Sequence, residues 1–132
     1  MAFMTQEKKA ALAPQIKSVL KKHGLKGSLS VRNHSGLVLT ITEGSIDFYT
    51  NMLDTARENH QPIDYITKDI DVNPYWYHRH FSGYAKEVVG ELIDAMNAGN
   101  HDRSNAQIDY FDVGWYIDIH IGKYSKPYTL VI

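Results

Sequence analysis

Cysteine is absent from this chain of 132 residues. That excludes disulfides, thiolate nucleophiles and every cysteine-bound zinc or iron–sulfur site, and it suits a reducing compartment. No apolar run approaches the roughly 18 residues that a membrane-spanning helix needs. The opening Met1-Ala2-Phe3-Met4-Thr5-Gln6-Glu7-Lys8-Lys9 lacks the basic-then-apolar order of a signal peptide. A cytoplasmic protein without membrane contact is the expectation. Catalytic signatures are missing too: there is no G-x-S-x-G, no phosphate-cradling glycine loop and no H-E-x-x-H, and no cofactor is called for. What is present is a 43% hydrophobic composition, enough for one ordinary core, so residues 1–132 are expected to form a single domain.

The net charge of -1 conceals a strong asymmetry. Residues up to Thr42 carry Lys8, Lys9, Lys17, Lys21, Lys22, Lys26 and Arg32 against Glu7 alone, a balance of +6. From Glu43 onward seven basic residues face fourteen acidic ones, a balance of −7. Such a separation implies either an electrostatic contact with a partner or internal complementarity between the first helix and the rest.

The most informative stretch runs from Tyr110 to Lys123. Phe111, Val113, Trp115, Ile117, Ile119 and Ile121 share one parity, while Asp112, Gly114, Tyr116, Asp118 and His120 take the other, as in a strand covered on one side. A one-residue slip would invert these faces, so the burial of Trp115 is open at this point. Upstream, Thr5 is a candidate N-cap, and Ile16, Val19, Leu20 and His23 follow helical spacing with Lys17, Lys21 and Lys22 off the stripe. Pro14 implies a kink or a helix starting there, and Gly24 suits the residue after the helix end. Leu29 and Val31, then Leu37, Leu39 and Ile41, read as a hairpin turning at Asn33-His34-Ser35-Gly36.

Ser45 is the expected cap of a second helix with Ile46, Tyr49, Leu53 and Ala56 on its apolar side, ending before Pro62. Tyr65 to Val72 suits a third strand. Asn73-Pro74 would open a long helix carrying Tyr77, Phe81, Tyr84, Val88 and Leu92, or Ser82-Gly83 would start a shorter one. Ala98-Gly99-Asn100 ends it, and Pro127 ends the final strand. The order α, β-β, α, β, α, β-β predicts an α+β fold, an antiparallel or mixed sheet of about five strands with helices on one face. Ser30, Arg32, Thr40, Thr42, Tyr116, Asp118 and His120 would then share the open face.

Chemistry-bearing side chains concentrate in Asn73-Pro74-Tyr75-Trp76-Tyr77-His78-Arg79-His80-Phe81. A metal-dependent enzyme would draw on His78, His80, His101 and His120, with Asp102 as a further candidate, although residues two apart on a helix point to nearly opposite sides. A stacking platform would use Tyr75, Trp76 and Tyr77 with Arg79, and the N-terminal lysines would supply charge for a nucleic acid. For acid–base work the pairs are His120 with Asp118 and His101 with Asp102, a common and unspecific arrangement.

The segments Ile16-Lys17-Ser18-Val19-Leu20-Lys21-Lys22 and Ser28-Leu29-Ser30-Val31-Arg32-Asn33-His34-Ser35-Gly36 make the chain resemble the large polyvalent protein-associated domain 29 group. These are small proteins of bacteriophages, prophages and plasmids that share a helix followed by an "F-S-V-R"-like strand, here Leu29-Ser30-Val31-Arg32. The resemblance covers the first third of the chain. It implies an accessory role in a mobile element and designates no catalytic residue. The expectation is therefore a non-enzymatic interaction domain that binds a host or phage macromolecule, with nucleic acid as the alternative partner. Lys17, Lys21, Lys22 and Arg32 would supply charge, and Tyr75, Trp76, Arg79, Tyr116 and His120 would supply anchors.

Overall fold

Thr5 caps the first helix, its Oγ1 accepting from the Lys8 amide at 3.1 Å. Helix α1 (Gln6–Lys22) then continues through Pro14 instead of starting there. The proline removes the donor that would reach the Ala10 carbonyl, but both residues are exposed, where water replaces the lost bond. This computed structural model describes residues 3–100, 114–123 and 125–131. The expectations for His101, Asp102, Phe111 and Val113 lie outside the described residues.

Gly24, at φ 68, turns the chain from α1 into β1 (Leu25–Arg32). β1 pairs antiparallel with β2 (Gly36–Gly44), and the turn between them uses positive φ at Asn33 and His34, as a hairpin demands. On the other edge of β2 lies β4 (Tyr116–Ile121), which runs parallel to it. The short β3 (Ile70–Val72) closes that side, antiparallel to β4. β5 (Thr129–Leu130) pairs with Glu43 and Gly44 of β2, whose other edge is taken by Lys26 and Leu25, so β5 extends the line of β4. The closing strands are therefore no hairpin. Gly122, at φ 77, donates its amide to Ile41 at 2.9 Å, a tight loop between Lys123 and Lys126 follows, and the strand resumes beyond Pro127.

Two further expectations change. The second helix, α2 (Phe48–Glu58), is capped by Asp47 and not Ser45: its carboxylate accepts from the Thr50 amide at 3.0 Å and the Thr50 hydroxyl at 2.8 Å. Ile46 is buried before the helix begins, and Phe48, Thr55 and Ala56 form the buried side. The third strand shrinks to three residues. Of the two readings for the next helix the shorter holds: Phe81 adopts an extended conformation, separating the single turn α3 (Tyr77–His80) from α4 (Gly83–Met96).

Ile16 and Leu20 of α1, with Ala85, Val88, Val89, Leu92 and Met96 of α4, cover the sheet face formed by Leu37, Leu39, Ile41, Ile70, Val72, Ile119 and Ile121. Each buried Val, Leu, Ile or Met side chain among these contributes about 1.5–3 kcal/mol. Trp115 joins this layer, its Nε1 donating to the Met96 carbonyl at 3.0 Å, which settles the parity of β4. The result is an α+β fold with a mixed five-stranded sheet and its helices on one face.

Candidate functional site

The end of α2 builds one wall of a groove. His60, at φ 56, follows the helix in the left-handed region, and the Gln61 amide reaches back to the Ala56 carbonyl at 2.8 Å while the His60 amide donates to Arg57 at 3.2 Å. This pair of bonds is the Schellman ending, here with histidine where glycine is usual. It turns Asn59 and Gln61 toward the groove.

The opposite wall is the turn before α3. Asn73 Oδ1 accepts from the Tyr75 and Trp76 amides at 2.9 and 3.2 Å, which fixes the turn and leaves both rings outward, Tyr75 76% and Trp76 47% exposed. The Arg79 guanidinium carbon lies 4.5 Å from the Trp76 ring centroid, a cation–π contact. Tyr77 belongs elsewhere. It packs inward on α4, where a Cβ at Gly90 would sit 3.0 Å from its hydroxyl, so only two members of the expected aromatic trio face solvent.

Together Met52, Ala56, Asn59, Gln61, Tyr65, Trp76, His78, Arg79 and His80 enclose about 650 Å³. None of these described lining residues is acidic. His78 and His80 both border the groove although they are two apart on one helical turn. Burial holds the His80 imidazole below its ordinary proton affinity, and the neighbouring His78 lowers it further. Among the described residues no three His, Asp or Glu side chains are placed to hold a metal ion. Sequence reading missed Met52, Asn59, Gln61 and Tyr65, which follow no motif; the only signal was an amide-rich helix end close to the aromatic run.

The open sheet face carries Arg32, Tyr116, Asp118 and His120, as their parity implied, and its charges are partnered among themselves. Arg32 donates to Asp118 at 2.9 Å and to His120 Nε2 at 3.2 Å, while His120 Nδ1 bonds Asp71. Because a guanidinium only donates, Nε2 is the accepting nitrogen and Nδ1 carries the proton to Asp71. The i, i+2 pair of His120 and Asp118 is thus replaced by inter-strand partners: Asp71 is the register partner of His120 on the adjacent β3, and the long Arg32 side chain reaches across β2 from β1. Both imidazole nitrogens are occupied, so His120 has no free lone pair for a reacting group. A shallow depression of about 320 Å³ lies over Val38 and Thr40 beside this network.

The basic N-terminal part is partly neutralised within the fold. Lys22 approaches Glu91 and Lys26 approaches Glu43, each at 3.4 Å, alongside the Arg32–Asp118 pair. Exposed pairs of this kind contribute about 0–1 kcal/mol, but they account for part of the charge asymmetry as internal complementarity. Lys17 and Lys21 remain exposed and make no ion pair among the described residues. They belong to α1, which packs on α4 and β1, whereas the groove is built from α2, α3 and residues 61–76.

No protein-family profile, curated protein or solved structure matches the chain significantly.

Proposed function

We propose that this protein is a non-enzymatic interaction domain, an accessory of a mobile genetic element acting in the cytoplasm, that binds a host or phage macromolecule through the groove between α2 and α3. The observation that carries this reading is the solvent-facing Trp76 with the Arg79 guanidinium over its ring, on a concave surface that exposed Tyr65 also lines and with exposed Tyr75 next to it in the chain. Trp, Tyr and Arg are the residue types that dominate binding energy at interfaces, and a concave aromatic surface supplies the pocket that such anchors pair with. The mobile-element assignment rests on the resemblance of the first third of the chain. The internally satisfied network at His120 argues for binding over acid–base catalysis.

The test is affinity capture from bacterial lysate, with and without nuclease, comparing wild type, a Tyr75→Ala/Trp76→Ala variant and a Lys17→Glu/Lys21→Glu variant. The expected result is a partner lost with the aromatic pair and retained with the lysine reversal. Retention by the aromatic variant refutes the groove, and loss with the lysine reversal alone moves the contact to α1.

A further inference from the structure

The groove differs from the depression on the open sheet face in the state of its charges. On the open sheet face Arg32, His120, Asp71 and Asp118 neutralise one another. In the groove Arg79 makes no ion pair among the described residues, and no lining residue is a carboxylate. The guanidinium sits over the Trp76 ring on an exposed side chain, so its N–H groups are available to an acceptor beside the indole. His78 and His80 add two imidazoles on the same border, and Asn59 and Gln61 bring two carboxamides from the facing wall. A flat aromatic surface, anion-seeking donors and amides that both donate and accept are the three requirements for holding a base, its phosphate and its hydrogen-bonding edge.

Resting on the reading of the groove as the contact surface, we infer that its occupant is an unpaired nucleotide of a single-stranded nucleic acid, with the base stacked at Trp76 and the phosphate held by Arg79 beside the two imidazoles. A duplex fits poorly, because its bases are stacked on one another and their faces are closed to Trp76. The lysines of α1 lie on a different part of the surface, so the footprint is one or two nucleotides and the dependence on salt is shallow.

The experiment is fluorescence anisotropy of end-labelled (dT)8 on the full-length chain, over a series of salt concentrations, with a duplex of the same length and inorganic polyphosphate as competitors. The expected slope of log K against log salt is about −0.7 to −1.4, as for one or two neutralised phosphates on a single strand. Trp76→Ala should weaken binding about tenfold or more, the loss expected when a base is deprived of its stacking partner, and Trp76→Phe should retain most of it. Thermal unfolding of each variant reports whether it is folded, and the phenylalanine variant keeps the comparison valid if alanine disturbs the turn. Absence of (dT)8 binding, equal competition by polyphosphate, or indifference to Trp76→Ala overturns the inference. The lysate capture described above then separates the two failures. A protein lost with the Tyr75→Ala/Trp76→Ala variant leaves the groove as a protein-contact surface and refutes only the nucleotide, whereas no groove-dependent partner of any kind refutes both.

Discussion

Asn51 brackets the backbone of Ser82 with both ends of its carboxamide: Oδ1 accepts from the Ser82 amide at 2.9 Å and Nδ2 donates to the Ser82 carbonyl at 3.0 Å. Ser82 is the N-cap of α4, yet its own side chain makes no capping bond and turns instead to the Thr55 hydroxyl at 3.0 Å. A residue of α2 therefore fixes where α4 starts, in a partly buried site where the lost bonds are not fully replaced by water. Replacing Asn51 with Asp keeps one acceptor but sets a carboxylate against the Ser82 carbonyl. The expected cost is about 1–3 kcal/mol, read as a lower urea midpoint with an unchanged m-value.

Glu91 ties α4 to the end of α1. His23 Nε2 lies 2.9 Å from its carboxylate, and His23 Nδ1 bonds the Tyr84 hydroxyl. Since an ionised carboxylate only accepts, the imidazole donates to it through Nε2. That hydrogen bond, with Lys22 nearby, holds the Glu91 carboxyl below its ordinary value. An acid depressed in the folded state contributes stability above its unfolded value and loses it as pH falls through the folded one. Glu91→Gln is expected to be less stable than wild type near neutrality, with the gap closing as urea titrations are carried down through the carboxylate range. A gap of constant size would show that the charge is irrelevant.

His80 is lowered by burial first and by His78 second. Because the unfolded chain binds the proton more readily, acidification through the ordinary imidazole range destabilises the fold by this group. In His78→Ala the NMR-monitored titration of His80 should move upward yet stay below that of a free imidazole, since burial persists. A return to the free value would make His78 the dominant cause.

Gly122 and Gly99 both hold positive φ, at 77 and 81 degrees. A Cβ at Gly99 meets nothing within 4 Å, whereas one at Gly122 would collide with the backbone of Pro127 and Tyr128. Gly99→Ala is expected to cost about 1–2 kcal/mol for the left-handed backbone alone. Gly122→Ala should cost clearly more, because the collision is with main chain where β4 hands over to β5. Equal thermal midpoints for the two variants would contradict this.

Tyr128 donates its hydroxyl to the Ile46 carbonyl at 2.8 Å, and burial pushes its ionisation up to about 12, with Asp47 and Glu43 adding to the rise. A raised folded value means that its stabilisation is present below the ordinary tyrosine value of about 10 and is lost as pH climbs toward 12. An ultraviolet titration should therefore show a late-ionising component that is lost in Tyr128→Phe.

The sequence by itself determined what depends on local pattern: the cap at Thr5, the end of α1 at Gly24, the positive-φ hairpin at Asn33 and His34, the apolar stripe of α4, the alternation of β4 and the α+β class. These follow from backbone preference and from the periods of helix and strand, which act over a few residues. The tertiary structure decided what depends on which segments meet. It stopped α3 at His80 and restarted the chain at Ser82, because Asn51, 31 positions away in sequence, holds that backbone. It gave His120 to Asp71 and Asp118 to Arg32, pairings set by strand order and invisible to spacing along one strand. It split Tyr75, Trp76 and Tyr77 between solvent and core, and it placed the amides of Asn59 and Gln61 beside the groove. The physical reason is the same in each case: propensity and periodicity are short-range, whereas a binding surface is made where distant segments are brought together by burial of a shared core.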